Sequence, residues 1–193
     1  MRRLAKLSPD VLDEDQRRLY EAITAGPRAR GRQAFELVDE AGALEGPFNA
    51  MLLQPALGSA LQGLGAAIRY QGSLPGRARE LAILVVAAAW ESEFEQHAHE
   101  AAGRLLGLRE EDLAAIRAGQ PPDLADPAER AAVRAAWALV RSGDLDDGQY
   151  AEAVAGLGEA GLGEAALFEL TTLVGYYATL ALQLRVFRVS APR

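Results

Sequence analysis

Apolar residues recur at three- and four-residue intervals along most of the chain, and proline, glycine and short polar residues punctuate the runs. Ser8-Pro9 has the form of a helix N-cap followed by proline at the first helical position, and Leu12, Leu19, Ala22 and Ile23 continue one face up to Gly26-Pro27. Between residues 24 and 49 glycine breaks leave room only for a short possible helix at 33–41, so this stretch reads as an arm. Residues 55–69 carry Leu57, Leu61, Leu64 and Ile68 on one stripe. A strongly apolar helix is predicted over 77–89, where the run from 81 to 89 implies burial on most sides; Glu80 falls in its first turn, where the helix dipole favours a carboxylate.

Ser92-Glu93-Phe94-Glu95 fits the capping-box pattern and starts a helix that runs through His99 to residue 106, closed by Gly107. A short helix follows at 110–118. Asp126-Pro127 then opens another, with Val133, Trp137 and Val140 before Gly143. Helices at 147–155 and 163–187 complete the chain, the last with Leu167, Leu170, Val174 and Tyr177 on one stripe. No segment alternates as a strand. The pattern predicts an all-α fold of about six to eight helices with no significant β-sheet, as one domain over 1–193 with an N-terminal helix and arm at 1–46 and a helical core at 47–187.

Composition removes several kinds of chemistry. The 193 residues include no cysteine, which excludes a disulfide, a thiolate metal ligand and a thiol nucleophile. Lys6 is the one lysine and lies near a terminus expected to be mobile, which argues against a buried Schiff base. A net charge of -7 disfavours nucleic acid and anionic lipid as partners. The one dense basic cluster, Arg28, Arg30 and Arg32, sits in the arm, where it covers either a pocket or a neighbouring molecule. The apolar runs at 81–90 and 170–184 are too short or too interrupted for the ~20 residues of a membrane span, and the N-terminus lacks a signal-peptide core, so a cytoplasmic location is expected.

Gly156-Leu157-Gly158-Glu159-Ala160-Gly161 matches G-x-G-x-x-G by letter but follows a predicted helix rather than a strand, so it reads as an interhelical turn and no dinucleotide is expected. The segment from Trp90 to His99 holds both histidines of the chain beside several carboxylates. Glu95 and His99, four apart, share one helix face, within reach for a carboxylate to orient an imidazole. The same spacing equally describes a partly exposed helical ion pair. His97 must point elsewhere and reads as a surface histidine. Glu80, Glu95 and His99 could in principle ligate an oxygen-preferring cation, but without a second histidine on that face no metal and no cofactor are expected.

Pro75-Gly76-Arg77-Ala78-Arg79-Glu80-Leu81-Ala82-Ile83-Leu84, followed by Phe94-Glu95-x-x-x-His99, resembles the carboxymuconolactone decarboxylase family, whose superfamily includes the AhpD-type alkylhydroperoxidases. The resemblance extends from about Phe48 to Phe187 and takes in Asn49, Pro55, Gly107-Leu108 and Tyr176-Tyr177. In the AhpD branch a glutamate precedes a C-x-x-C-x-x-x-H motif; here Glu80 stands for that glutamate, Ser92 and Glu95 stand where the two cysteines would be, and His99 matches the histidine. A dithiol peroxidase cycle is therefore excluded. The decarboxylase branch resembles this chain more closely, since it carries glutamate at the second cysteine position in a pattern like E-Y-E-x-x-x-H, with Phe94 here in place of the tyrosine.

The resemblance implies a lyase acting on a small carboxylic acid, lactone or related carbonyl compound. His99 would move a proton, Glu95 would orient and charge-stabilise the ring, and Glu80 would be a second acid/base or a support group raised by burial. Arg77, Arg79 and Arg185 are candidates to clamp a substrate carboxylate, with Ser92 and Tyr176 as further substrate-binding candidates. It also implies self-association as a trimer or hexamer. The alternative is a non-catalytic oligomeric binding or scaffold protein, and the two differ in whether the cluster lines a closed apolar pocket or lies flat on solvent.

Overall fold

The computed structural model describes residues 3–30, 35–158 and 163–191. Among them are nine α-helices and one isolated bridge, Val38 to Leu44, so the all-α expectation holds with more helices than the pattern suggested. The helices are α1 (Glu14–Thr24), α2 (Pro47–Met51), α3 (Pro55–Tyr70), α4 (Gly76–Ala89), α5 (Glu93–Leu105), α6 (Glu110–Arg117), α7 (Pro127–Ser142), α8 (Asp147–Leu157) and α9 (Gly163–Phe187). Proline at the first helical positions opens α2, α3 and α7, where its missing N–H has no intrahelical partner to lose. Gly143 in the left-handed region closes α7.

The centre of the molecule is α4. Its run from Glu80 to Ala87 is buried without interruption, because α5, α7 and α9 pack around it. The buried stripe of α9, Leu167, Leu170, Val174 and Tyr177, faces this core as its spacing predicts. By length and hydropathy α9 could also cross a membrane, but half of the qualifying window is buried inside the protein, as in a core helix.

Several local expectations are corrected. Ser8 and Pro9 start a 3-10 turn, Pro9–Val11, and α1 begins only after its N-cap Asp13, whose carboxylate accepts from Gln16 N while Gln16 reaches back to the Asp13 N–H. Of the possible helix at 33–41, Gln33 and Ala34 lie outside the described residues; Phe35 to Ala41 is not helical, because Asp39 Oδ1 accepts from the N–H groups of Ala41 and Ala43 and folds the chain into a turn. Within the glycine segment, Gly156 and Leu157 still belong to α8, and Glu159 to Gly161 lie outside the described residues. Lys6 is not loose: its Nζ pairs with Asp39 at 2.7 Å and with Glu45.

The stripe on α3 splits, with Leu61 half-buried against the core. Leu57 and Leu64 are 72% and 41% exposed, and only Ile68 of the four is buried. The inward face carries Gly58 and Gly65 instead, because the helix lies so close to its neighbours that a Cβ at Gly58 would meet the Met51 backbone and Leu19.

Candidate active site

α4 and α5 are joined by a tight turn in which Glu91 takes a positive φ of 49°, a conformation that non-glycine residues seldom adopt. The turn lays α5 back along α4 and sets His99, two turns into α5, beside Glu80. Glu80 lies past the first turn of α4, so its partners come from neighbouring helices rather than from the helix end. The imidazole Nδ1–H donates to Glu80 Oε2 at 2.6 Å, and Nε2 lies 3.2 Å from Glu95 Oε2 on the preceding turn. Arg69, at the end of α3, donates from Nη1 to Glu80 Oε1 at 3.2 Å, and Arg79 Nε lies 3.9 Å from the same oxygen. Glu80, Glu95 and His99 are all buried, so the exposed ion-pair reading of Glu95 and His99 does not describe them; His97, by contrast, is exposed.

Burial pushes Glu80 up, but the His99 charge and hydrogen bond, with Arg69 behind them, outweigh it and hold the carboxyl below its ordinary range. Burial likewise pushes His99 down, and the charges and hydrogen bonds of Glu80 and then Glu95 reverse this, so the ring titrates above a histidine's ordinary value. Both shifts favour the charged form of the Glu80–His99 pair, with Glu95 on the other side of the ring.

This triad lines a cavity of about 460 Å³. Arg28, Phe35 and Phe48 from the N-terminal part of the chain, Arg69, Arg79 and Phe94, and Tyr176 and Tyr177 from α9 form its walls. The Tyr177 ring stands edge-on to the His99 imidazole with centroids 5.0 Å apart, and burial drives its hydroxyl well above the ordinary tyrosine value. Tyr176 is pushed up to about 12, again by burial first, so it remains a neutral donor at physiological pH.

The predicted residues divide. Glu80, Glu95, His99, Arg79 and Tyr176 come together at the cavity. Arg77 does not clamp a ligand there: its guanidinium grips buried Glu129 through Nε and Nη2 and donates to the Gly107 carbonyl, so it ties α4 to α7 and to the turn after α5. Arg185 donates to the Trp90 carbonyl and pairs with Glu91 at 3.4 Å, on a separate surface cleft. Ser92 borders that same cleft; it is buried, and its Oγ makes neither the expected cap nor any other hydrogen bond. Sequence reasoning missed Arg69 and Arg28. Arg69 carried one usable signal, its position in the last turn of α3 beside a buried stripe residue, Ile68; Arg28 was visible only as part of a basic cluster.

These residues sit inside a recognisable segment. Residues 55–138 match the carboxymuconolactone decarboxylase family. That stretch runs from the start of α3 into α7 and contains Glu80, Glu95 and His99 but neither Arg28 nor Tyr176. Comparison with the curated proteins finds no match. Among solved structures, the AhpD core of an uncharacterized peroxidase-related protein from Ralstonia eutropha JMP134 superimposes with a TM-score of 0.74 at 14% identity, covering 99% of this chain and 92% of that one. The debrominase Bmp8, in complex with 2,3,4-tribromopyrrole, gives 0.65 at 17% identity over 93% and 86% of the two chains. A protein of unknown function from Agrobacterium tumefaciens, described as a putative antioxidant defence protein AhpD, gives 0.60 at 19% identity over 77% and 99%. At these identities the likeness is one of fold: the chain has the AhpD-like helical fold, built without cysteine.

Proposed function

We propose that this carboxymuconolactone decarboxylase-like chain is a lyase or related enzyme that acts on a small carboxylic acid, lactone or keto acid by proton transfer through His99. The observation that carries the reading is the Glu80–His99–Glu95 triad lining a cavity walled by aromatic and arginine side chains. A cluster lying flat on solvent would have supported the non-catalytic scaffold instead.

In a decarboxylation the bond from the carboxyl carbon to the substrate carbon breaks, its electron pair enters a conjugated carbonyl, and carbon dioxide leaves. Tyr176, which lines the cavity with its hydroxyl held neutral, would donate to the developing enolate oxygen. The protonated His99 delivers its proton to carbon, and Glu80 and Glu95 hold the ring in position and favour its return to the charged form with a proton from solvent. Arg79, the one clamp candidate of the three that reaches the cavity, would hold a substrate carboxylate.

Turnover on a panel of small lactones and keto acids, with the wild type, His99→Ala and Glu95→Gln, tests this. His99→Ala is expected to lose about 100-fold or more. Equal rates in the three proteins would remove the mechanism. Self-association belongs to the same proposal, and the exposed apolar side chains Leu53, Leu57 and Leu64 near or on α3, with Phe168 and Leu182 on α9, support it. Light scattering that reports a monomer at micromolar concentration would count against it.

A further inference from the structure

Three buried polar atoms around the cavity lack a hydrogen-bond partner: Arg28 Nε, Arg79 Nε and Glu95 Oε1. Buried groups of this kind are normally satisfied, and unpartnered ones gathered at one cavity point to a ligand that completes them. The arginines at the cavity are not equivalent. Arg69 donates to Glu80, and Arg79 lies within 3.9 Å of the same carboxylate, so both charges are partly answered within the protein. Among the described residues Arg28 takes part in no carboxylate pair. With Arg28, Arg69, Arg79 and His99 set against Glu80 and Glu95, these groups carry a positive excess, and Arg28 is its least compensated member.

Arg28 is also held in place. Its guanidinium carbon lies 5.2 Å from the centroid of the Phe48 ring, a cation-π contact that anchors the group at the cavity wall without using up its N–H donors. It lies beside the Tyr176 hydroxyl, whose titration it lowers against the effect of burial. Residue 65 must be glycine for this packing, because a Cβ there would stand 2.7 Å from Arg28 Nη2 and closer still to the Tyr176 oxygen. The short helical turn Pro27–Ala29 brings the side chain in from the arm, outside the family-matched segment.

We infer that Arg28 is a specificity-determining residue: it reads a carboxylate on the substrate and makes the site discriminate an acid from its neutral ester. The inference rests on the cavity being the substrate site, but not on proton transfer by His99.

Isothermal titration of levulinate and methyl levulinate, as keto-acid and ester probes, into the wild type, Arg28→Gln, Arg28→Lys and His99→Ala separates the two questions. The wild type is expected to prefer the acid. Arg28→Gln is expected to cut the acid-to-ester affinity ratio by about 10- to 100-fold with ester binding unchanged. Arg28→Lys is expected to fall between them, since it keeps the charge and loses the planar fork. A wild type without acid preference, an Arg28→Gln protein with the ratio intact, or equal loss of both probes overturns the inference; the last pattern marks a structural role. A ratio that collapses in Arg28→Gln, together with full turnover by His99→Ala on the lactone and keto-acid panel, would leave the role of Arg28 standing and remove the proton-transfer reading.

Discussion

Replacing Glu80 with glutamine changes one charge and almost no volume at the centre of the site. Glu80 is completely buried, with Oε2 accepting from His99 and Oε1 from Arg69. The variant leaves the imidazolium with Glu95 as its one carboxylate and Arg69 with an amide. Removing one partner of a buried ion pair costs about 3–5 kcal/mol. The lower end applies here, because Arg69 is 27% exposed and Glu95 still faces the ring. A loss of about 3 kcal/mol lowers Tm by roughly 6–12 °C in a domain of this size.

The pH dependence of that loss is the sharper readout. His99 titrates above its ordinary value in the folded protein, so its contribution is complete below about pH 6.5 and disappears as pH rises through the folded value. Glu80 titrates below its ordinary value, so its contribution is complete above about pH 4.5 and disappears as pH falls through the folded value. The gap between wild type and Glu80→Gln is therefore widest between those limits and narrows on both sides. Urea denaturation of the two proteins across this range measures it. A gap under about 1 kcal/mol near pH 5.5, or one constant from about pH 5 to 9, would refute a charged, buried Glu80–His99 pair.

Three further substitutions test the division of residues into cavity and framework. Arg77→Ala strands Glu129 and is expected to destabilise by about 3 kcal/mol in denaturant melts while leaving KM unchanged, since the pair lies away from the cavity. Ser92→Ala is expected to be neutral or stabilising by up to about 1 kcal/mol, because the lost hydroxyl satisfies nothing; a loss of turnover there would instead restore Ser92 to the site. Gly65→Ala is expected to raise KM more than it lowers kcat, by displacing Tyr176 and Arg28, at a stability cost of about 1–3 kcal/mol. The activity profile should also retain its protonated-histidine limb above pH 6.5, and an alkaline limb at or below the ordinary histidine value would contradict the position of His99 between two carboxylates.

Several features were already legible in the sequence. The three- and four-residue spacing of apolar side chains dictates the helices, and the unbroken run after Glu80 requires α4 to be central, since a helix apolar on all sides has no face to give to water. The absence of cysteine excludes thiol chemistry whatever the fold. Glu95 and His99 share a face by helical geometry alone, because their relation is four residues long. Tertiary packing decided the rest. Glu80 meets His99 across two helices, 19 positions apart, and Arg69 joins them from a third helix. Leu57 and Leu64 of α3 face outward because the close approach of neighbouring backbone selects the glycine face of the same helix. Which arginines enter the cavity could not be read from position either. Arg77 and Arg79 are two apart on one helix yet turn to different neighbours, while Arg28 arrives from an arm outside the core. Periodicity constrains residues one turn apart, whereas a long guanidinium side chain finds its partner only when helices distant in sequence have packed.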